Sequence, residues 1–307
     1  MKSKQEIEET LEKNIGTDFV IPMSWDVMFE QMFISKEVMP LLEYIISIFS
    51  NVDINDVKGK VKLLPNELRQ NFAKDTRSKS DIIAEYFKDE KNTDKYIVEM
   101  NSSKKMPWRN VLYAYKVASG GISIANDKYV KTYDTILINF NNFHDSKHKF
   151  IRTITMRDED GIVYDDSTII YEVNMAKAKD LSYNYTNKRE EQIAIISRML
   201  MAESSVELNK ESNIIMNKKD TEKLVNRAKE LSSDDEYIRL FDEEENYKEL
   251  IRNTELAEAH EEGIKLGSKE TAIDIAKNLI KIGLTNEQIV ETTKLSIAEI
   301  DKLRKEV

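Results

Sequence analysis

The sequence predicts a mixed α/β domain followed by a helical tail, and three observations predict it. Apolar residues recur at helical spacing from Ser24, short β-branched and aromatic runs follow between residues 81 and 175, and helical periodicity returns after residue 246. Trp25, Met28, Phe29, Met32 and Phe33 form the first helical stripe. Leu41, Leu42, Ile45, Ile46 and Phe49 form the second, beyond Pro40. Residues 81–87 and 96–101 read as two strands around the polar loop 88–94, a hairpin. Residues 108–118 then read as a helix that ends at Gly120-Gly121. Further strands are expected over 134–140, 150–156 and 169–175. The stretch 189–203 sets Ile193, Ile196, Met199 and Leu200 on one side and reads as the amphipathic helix that closes the core.

The tail carries a long helical pattern over 246–282, stopped by Gly283. Two capping boxes, Thr285 to Gln288 and Ser296 to Glu299, each start a short helix. The expected organisation is an arm over 1–16, an α/β domain over 17–205, a charged helical linker over 206–245, and a long helix plus helical pair over 246–307.

Composition narrows the chemistry. The 307 residues include no cysteine, which excludes disulfides, thiolate metal sites and a cysteine nucleophile. Three scattered histidines, His144, His148 and His260, are too few for a histidine metal centre. Carboxylates are left to carry any catalysis. No apolar run approaches the ~18 residues that cross a bilayer, and the charged opening lacks the apolar stretch of a signal peptide, so a cytoplasmic protein without membrane partners is expected. The net charge of −10 argues against a uniformly basic surface, yet binding follows the local field. Between Lys58 and Lys79 seven basic residues face only Glu67 and Asp75, whereas acidic clusters crowd 234–262. That basic segment reads either as a DNA groove or as a solvated loop.

In a strand alternate side chains share a face, so Glu99 and Asn101 project together while Val98 and Met100 face the other way. Asp81 begins the preceding strand, and hairpin pairing is expected to bring its carboxylate to Glu99. Two carboxylates with a main-chain carbonyl and waters suit Mg²⁺, which takes oxygen ligands and keeps much of its water shell.

These residues also carry a family resemblance. Asp81-Ile-Ile-Ala, the loop, and Tyr96-Ile-Val-Glu99-Met-Asn101 resemble the Asp…Glu-x-(Lys/Gln) core of the PD-(D/E)XK nuclease superfamily, and more narrowly its recombination-promoting nuclease (Rpn) and transposase branch. Asp26-Val-Met-Phe29-Glu30-Gln-Met-Phe33 resembles the family's opening Asp-x-x-Phe-Lys-x-x-Phe helix. Arg109-Asn-Val-Leu-Tyr113 resembles its Arg-x-x-x-Tyr helix, and residues 262–303 resemble its helical C-terminus. The resemblance implies a restriction-endonuclease-like sheet flanked by helices, and Mg²⁺- or Mn²⁺-dependent cleavage of DNA linked to recombination or mobile elements. It implies that Asp81 and Glu99 hold the metal and that Asn101 orients water or stabilises developing charge.

Two departures stand out. Asn101 is one methylene shorter than Gln and lacks the charge of Lys, so Lys104 or Lys105 is the candidate to reach in instead. Glu30 replaces a usual Lys and is either a third, helix-borne carboxylate or a solvated residue; Asp26 is a further accessory candidate. Arg109 reads equally as a phosphate ligand or as the partner of a buried carboxylate. Tyr113 and Tyr115 read as packing residues ahead of base-stacking ones. The terminal helical pair lacks the net positive charge of a DNA-recognition helix, so homo-oligomerisation or docking through the C-terminal helices is expected, with Ala272, Ile273, Ile275, Ala276, Leu279 and Ile280 as its apolar face. The alternatives to a nuclease are a catalytically degenerate DNA- or protein-binding platform of the same fold, and an interaction module built on the tail.

Overall fold

Residues 18–68, 78–90, 92–101, 107–125, 128–143, 148–180, 185–243, 267 and 270–306 are described by the structure, a computed structural model. The expected arm, most of the long tail helix, and Lys104 and Lys105 lie outside the described residues. The chain divides into two compact units, Met1–Phe241 and Asp242–Val307.

The first unit opens with helices α1 (Asp26–Phe33), α2 (Met39–Ser50) and α3 (Ile54–Val57). Pro40 falls in the first turn of α2, where its missing N–H costs nothing. Strands β1 (Val61–Leu64), β2 (Glu67–Leu68), β3 (Ser78–Lys79), β4 (Ile82–Phe87) and β5 (Thr93–Asn101) follow, then helix α4 (Pro107–Ser119). A hairpin of β6 (Ile122–Ala125) and β7 (Lys128–Lys131) precedes β8 (Tyr133–Asn141), β9 (Ile151–Arg157) and β10 (Val163–Asn174). Helices α5 (Lys188–Leu200), α6 (Ser205–Ile215) and α7 (Lys218–Ser232) follow, and residues 235–243 are also helical.

Six strands form one mixed sheet in the order β1-β4-β5-β8-β10-β9. The β5–β8 and β8–β10 pairs are parallel and the other three are antiparallel. From Tyr96 to Asn101 β5 is buried on both faces, the condition of a central strand with helices above and below. One face carries Val98, Met100, Ile138, Phe140 and Val173 into the large core, which Ile45, Ile46, Ile193 and Ile196 of α2 and α5 complete. The other face carries Ile83, Ile97, Leu137 and Ile170 against Tyr113, Ala114 and Val117 of α4.

The stretch 206–241, expected as a charged linker, is instead part of this unit. Leu208, Leu224, Val225, Ala228 and Leu231 of α6 and α7 are buried in the large core. The Ile21 N–H donates to Ser232 Oγ at 2.8 Å, and the Trp25 and Phe241 rings meet edge-on at 5.6 Å. Charge on the solvent side of two amphipathic helices hid the apolar stripe that packs inward.

In the second unit residues 270–281 are helical and Gly283, at φ +86°, turns the chain. Helix α8 (Asn286–Thr293) starts at the expected Thr285–Gln288 capping box, and Ser296 and Glu299 hydrogen-bond reciprocally ahead of α9 (Ile297–Glu306). Of the apolar face expected to self-associate, Ala272, Ile273, Ala276, Leu279 and Ile280 pack against Ile289, Leu295, Ile300 and Leu303 within this unit, and Ile275 is exposed. No helix among the described residues is long and apolar enough to cross a membrane.

Candidate active site

Asp81 stands one residue before β4, and because Ile82 pairs with Val98, continuing the ladder sets Asp81 opposite Glu99. The two residues interlock. The Asp81 N–H donates to Glu99 Oε1 at 3.1 Å, and the Met100 N–H donates to Asp81 Oδ2 at 2.7 Å. Arg109, in the first turn of α4, donates from Nη2 to Glu99 Oε2 at 2.8 Å while its guanidinium lies 5.1 Å from the centre of the Tyr113 ring. Tyr113 follows Arg109 by one helical turn, the spacing that stacks side chains along a helix.

Glu99 has no exposed surface. Burial, then the negative charge of Asp81, pushes its carboxyl up to about 7, against the pull of Arg109. Arg109 is thus paired with a buried carboxylate.

The other expected residues fall at different distances from this pair. Glu30 belongs to the margin of the site: Asn66 Nδ2 donates to Glu30 Oε1 at 3.3 Å and to the main-chain oxygen of Asp81 at 3.4 Å. Asp26 lies one turn before Glu30 on α1. Asn101 is on the same face as Glu99, but its amide turns sideways, donating to Asn141 Oδ1 at 3.0 Å and to Asn139 Oδ1 at 3.4 Å. Tyr113 is buried, whereas Tyr115 is exposed. Of the basic segment, Lys60 and Lys62 are exposed and Lys58 lies 5.7 Å from the centre of the Tyr44 ring; Arg69, Lys74 and Arg77 are outside the described residues.

Sequence reasoning missed Asn66, Asn139, Asn141, Glu172 and Arg152. Arg152 Nη2 donates to Glu172 Oε2 at 2.6 Å, and Asn141 Nδ2 lies 3.5 Å from the same oxygen. A signal for three of them was present. The parallel strands β5, β8 and β10 end alike, in Glu99-Met-Asn101, Asn139-Phe-Asn141 and Glu172-Val-Asn174.

Two carboxylates are donors of the kind a hard divalent cation takes, and Glu99 Oε1, Glu99 Oε2 and Asp81 Oδ2 each already accept one N–H bond. Asp81 and Glu99 supply carboxylate oxygens from adjacent strands, and their mutual repulsion is the imbalance such an ion relieves. Among the described residues no group of three or more His, Cys, Asp or Glu gathers for metal, so a cation here would rely on two carboxylates, water and substrate. No family model matches the chain, and neither a curated protein nor a solved structure does.

Proposed function

We propose that this protein is a Mg²⁺- or Mn²⁺-dependent DNA endonuclease with a restriction-endonuclease-like core of the PD-(D/E)XK type. The observation that carries the reading is the interlocked pair Asp81 and Glu99, held at the ends of neighbouring strands with Arg109 across them. The pair sits at the carboxyl end of β5, where parallel α/β sheets bind ligands.

In this reading Asp81 and Glu99 hold the cation, and Glu30 with Asn66 steadies the Asp81 main chain from α1. A bound divalent cation polarises a phosphoryl oxygen and lowers the pKa of an attacking water. Arg109 balances Glu99 in the pair, and its planar fork is of the shape that would suit a phosphate if Glu99 held a cation. Asn101 supplies a neutral amide where the family carries Lys or Gln, so it orients by hydrogen bonding and adds no charge.

Incubating supercoiled plasmid with the protein and Mg²⁺ or Mn²⁺ tests this. Nicking is expected, with Asp81→Ala and Glu99→Ala each lowering the rate by roughly two orders of magnitude or more, as for loss of a group that stabilises the transition state. Metal-independent nicking, or nicking that survives both changes, sinks the proposal.

A second reading, a DNA-binding platform without catalysis, is favoured by the same Arg109 contact and by the sideways amide of Asn101. Binding without cleavage in the parent and both variants selects it. Self-association through 246–307 is a separate proposal, read by comparing the full chain with one ending at residue 243 in light scattering.

A further inference from the structure

The three matching strand ends form a continuous polar surface beside the carboxylate pair. Register sets Glu99, Asn139 and Glu172 in one row and Asn101, Asn141 and Asn174 in the next, with neighbouring strands ~4.8 Å apart. Both rows continue the face that α4 covers. Its amino-terminal half is apolar, at Ile97, Leu137 and Ile170, and its carboxyl-terminal half is polar. The residues between them, Met100, Phe140 and Val173, are buried on the opposite face, so alternation alone delivers the polar set to one side.

The hydrogen bonding of these rows is incomplete. Asn101 is 1% exposed and Asn139 0%, yet among the described residues Asn101 Oδ1 and Asn139 Nδ2 have no hydrogen-bond partner. An unmet buried donor or acceptor costs about 1–3 kcal/mol, which apolar residues at these positions would avoid. One acceptor and one donor from neighbouring strands therefore stand unspent next to Glu99.

We propose that this carboxamide cluster is a subsite for the hydrogen-bonding edge of an unpaired nucleobase, adjacent to the cation site at Asp81 and Glu99; it rests on the nuclease reading. The ligand class follows from charge and chemistry. Among the described residues the two guanidinium groups that meet the rows are each paired with a carboxylate, Arg109 with Glu99 and Arg152 with Glu172, whereas the asparagines between them are neutral and offer hydrogen bonds alone. A donor beside an acceptor instead matches a base edge, as asparagine matches adenine. Groups this deeply buried are out of reach of a base stacked in a duplex, so the substrate presents a splayed or single-stranded base.

Fluorescence anisotropy in Ca²⁺ with labelled oligonucleotides decides the matter. A single-stranded oligonucleotide is expected to bind about tenfold or more tightly than an abasic strand of equal length. Asn139→Leu, of similar volume, is expected to shrink that ratio to about twofold. Equal affinity of the parent protein for normal and abasic strands overturns the subsite, as does a ratio that survives Asn139→Leu. If Asn139→Leu fails to fold in a urea melt, the parent comparison and an Asn139→Ser variant carry the test. Plasmid nicking without base dependence removes this inference alone, whereas failure to bind any strand or nick plasmid removes the nuclease reading with it.

Discussion

Glu99 concentrates the electrostatics of this protein in one side chain. Its carboxyl is held at about 7 rather than the ordinary 4.5 because it is buried beside Asp81, so the folded chain keeps a proton that the unfolded chain has released. Folding then takes up that proton between the two values, and the stability contributed by the protonated group is lost as pH rises from about 4.5 to about 7. Melting of the metal-free protein at pH 5 and pH 8 is expected to show a larger fall in the parent than in Glu99→Gln, which has no proton to lose. Equal falls would mean that Glu99 is not held away from its ordinary value. Asp81 and Glu99 were legible in the sequence because β-branched runs around a polar loop define a hairpin, and a hairpin fixes which residues face each other. The role of Arg109 was not, since a guanidinium ten residues away pairs with a carboxylate or with a phosphate according to where its helix begins.

Among the elements, the α4–β6 junction shows why two glycines close the helix. A Cβ on Gly121 would lie 2.9 Å from Cε2 of Tyr133, a ring anchored by its hydroxyl to the Val117 carbonyl at 2.7 Å and lying 4.0 Å from Lys95 Nζ. Gly121→Ala is expected to destabilise by about 1–3 kcal/mol in urea unfolding, the range of an overpacked contact. No change would show that the ring is free to move. Helix α7 provides the second test. Leu224 is fully buried in the large core, so Leu224→Ala is expected to cost about 2–5 kcal/mol. A solvated linker would lose almost nothing. Helices α1, α2, α4 and α5, the central strands and the capping box over 285–288 were readable from periodicity and local chemistry. The β6–β7 hairpin and β1 were not, being strands of four residues with too few alternations to register a period.

At the scale of the whole molecule the chain separates near residue 241, since residues 242–307 form their own compact unit and keep their own apolar cluster. A chain ending at residue 243 is expected to melt cooperatively within a few degrees of the full protein, as a chain that keeps its core intact does. Loss of cooperative melting on that truncation would refute the division. The sequence by itself determined the α/β class, the order of the main elements and the pairing of Asp81 with Glu99, because each depends on periodicity or on neighbours close along the chain. Tertiary structure alone decided that 206–241 belongs to the core, that Arg109 covers Glu99, and that three strands far apart in sequence end in adjoining rows of asparagine and glutamate. Register between distant strands follows from how the whole sheet packs against its helices, and no local pattern encodes it.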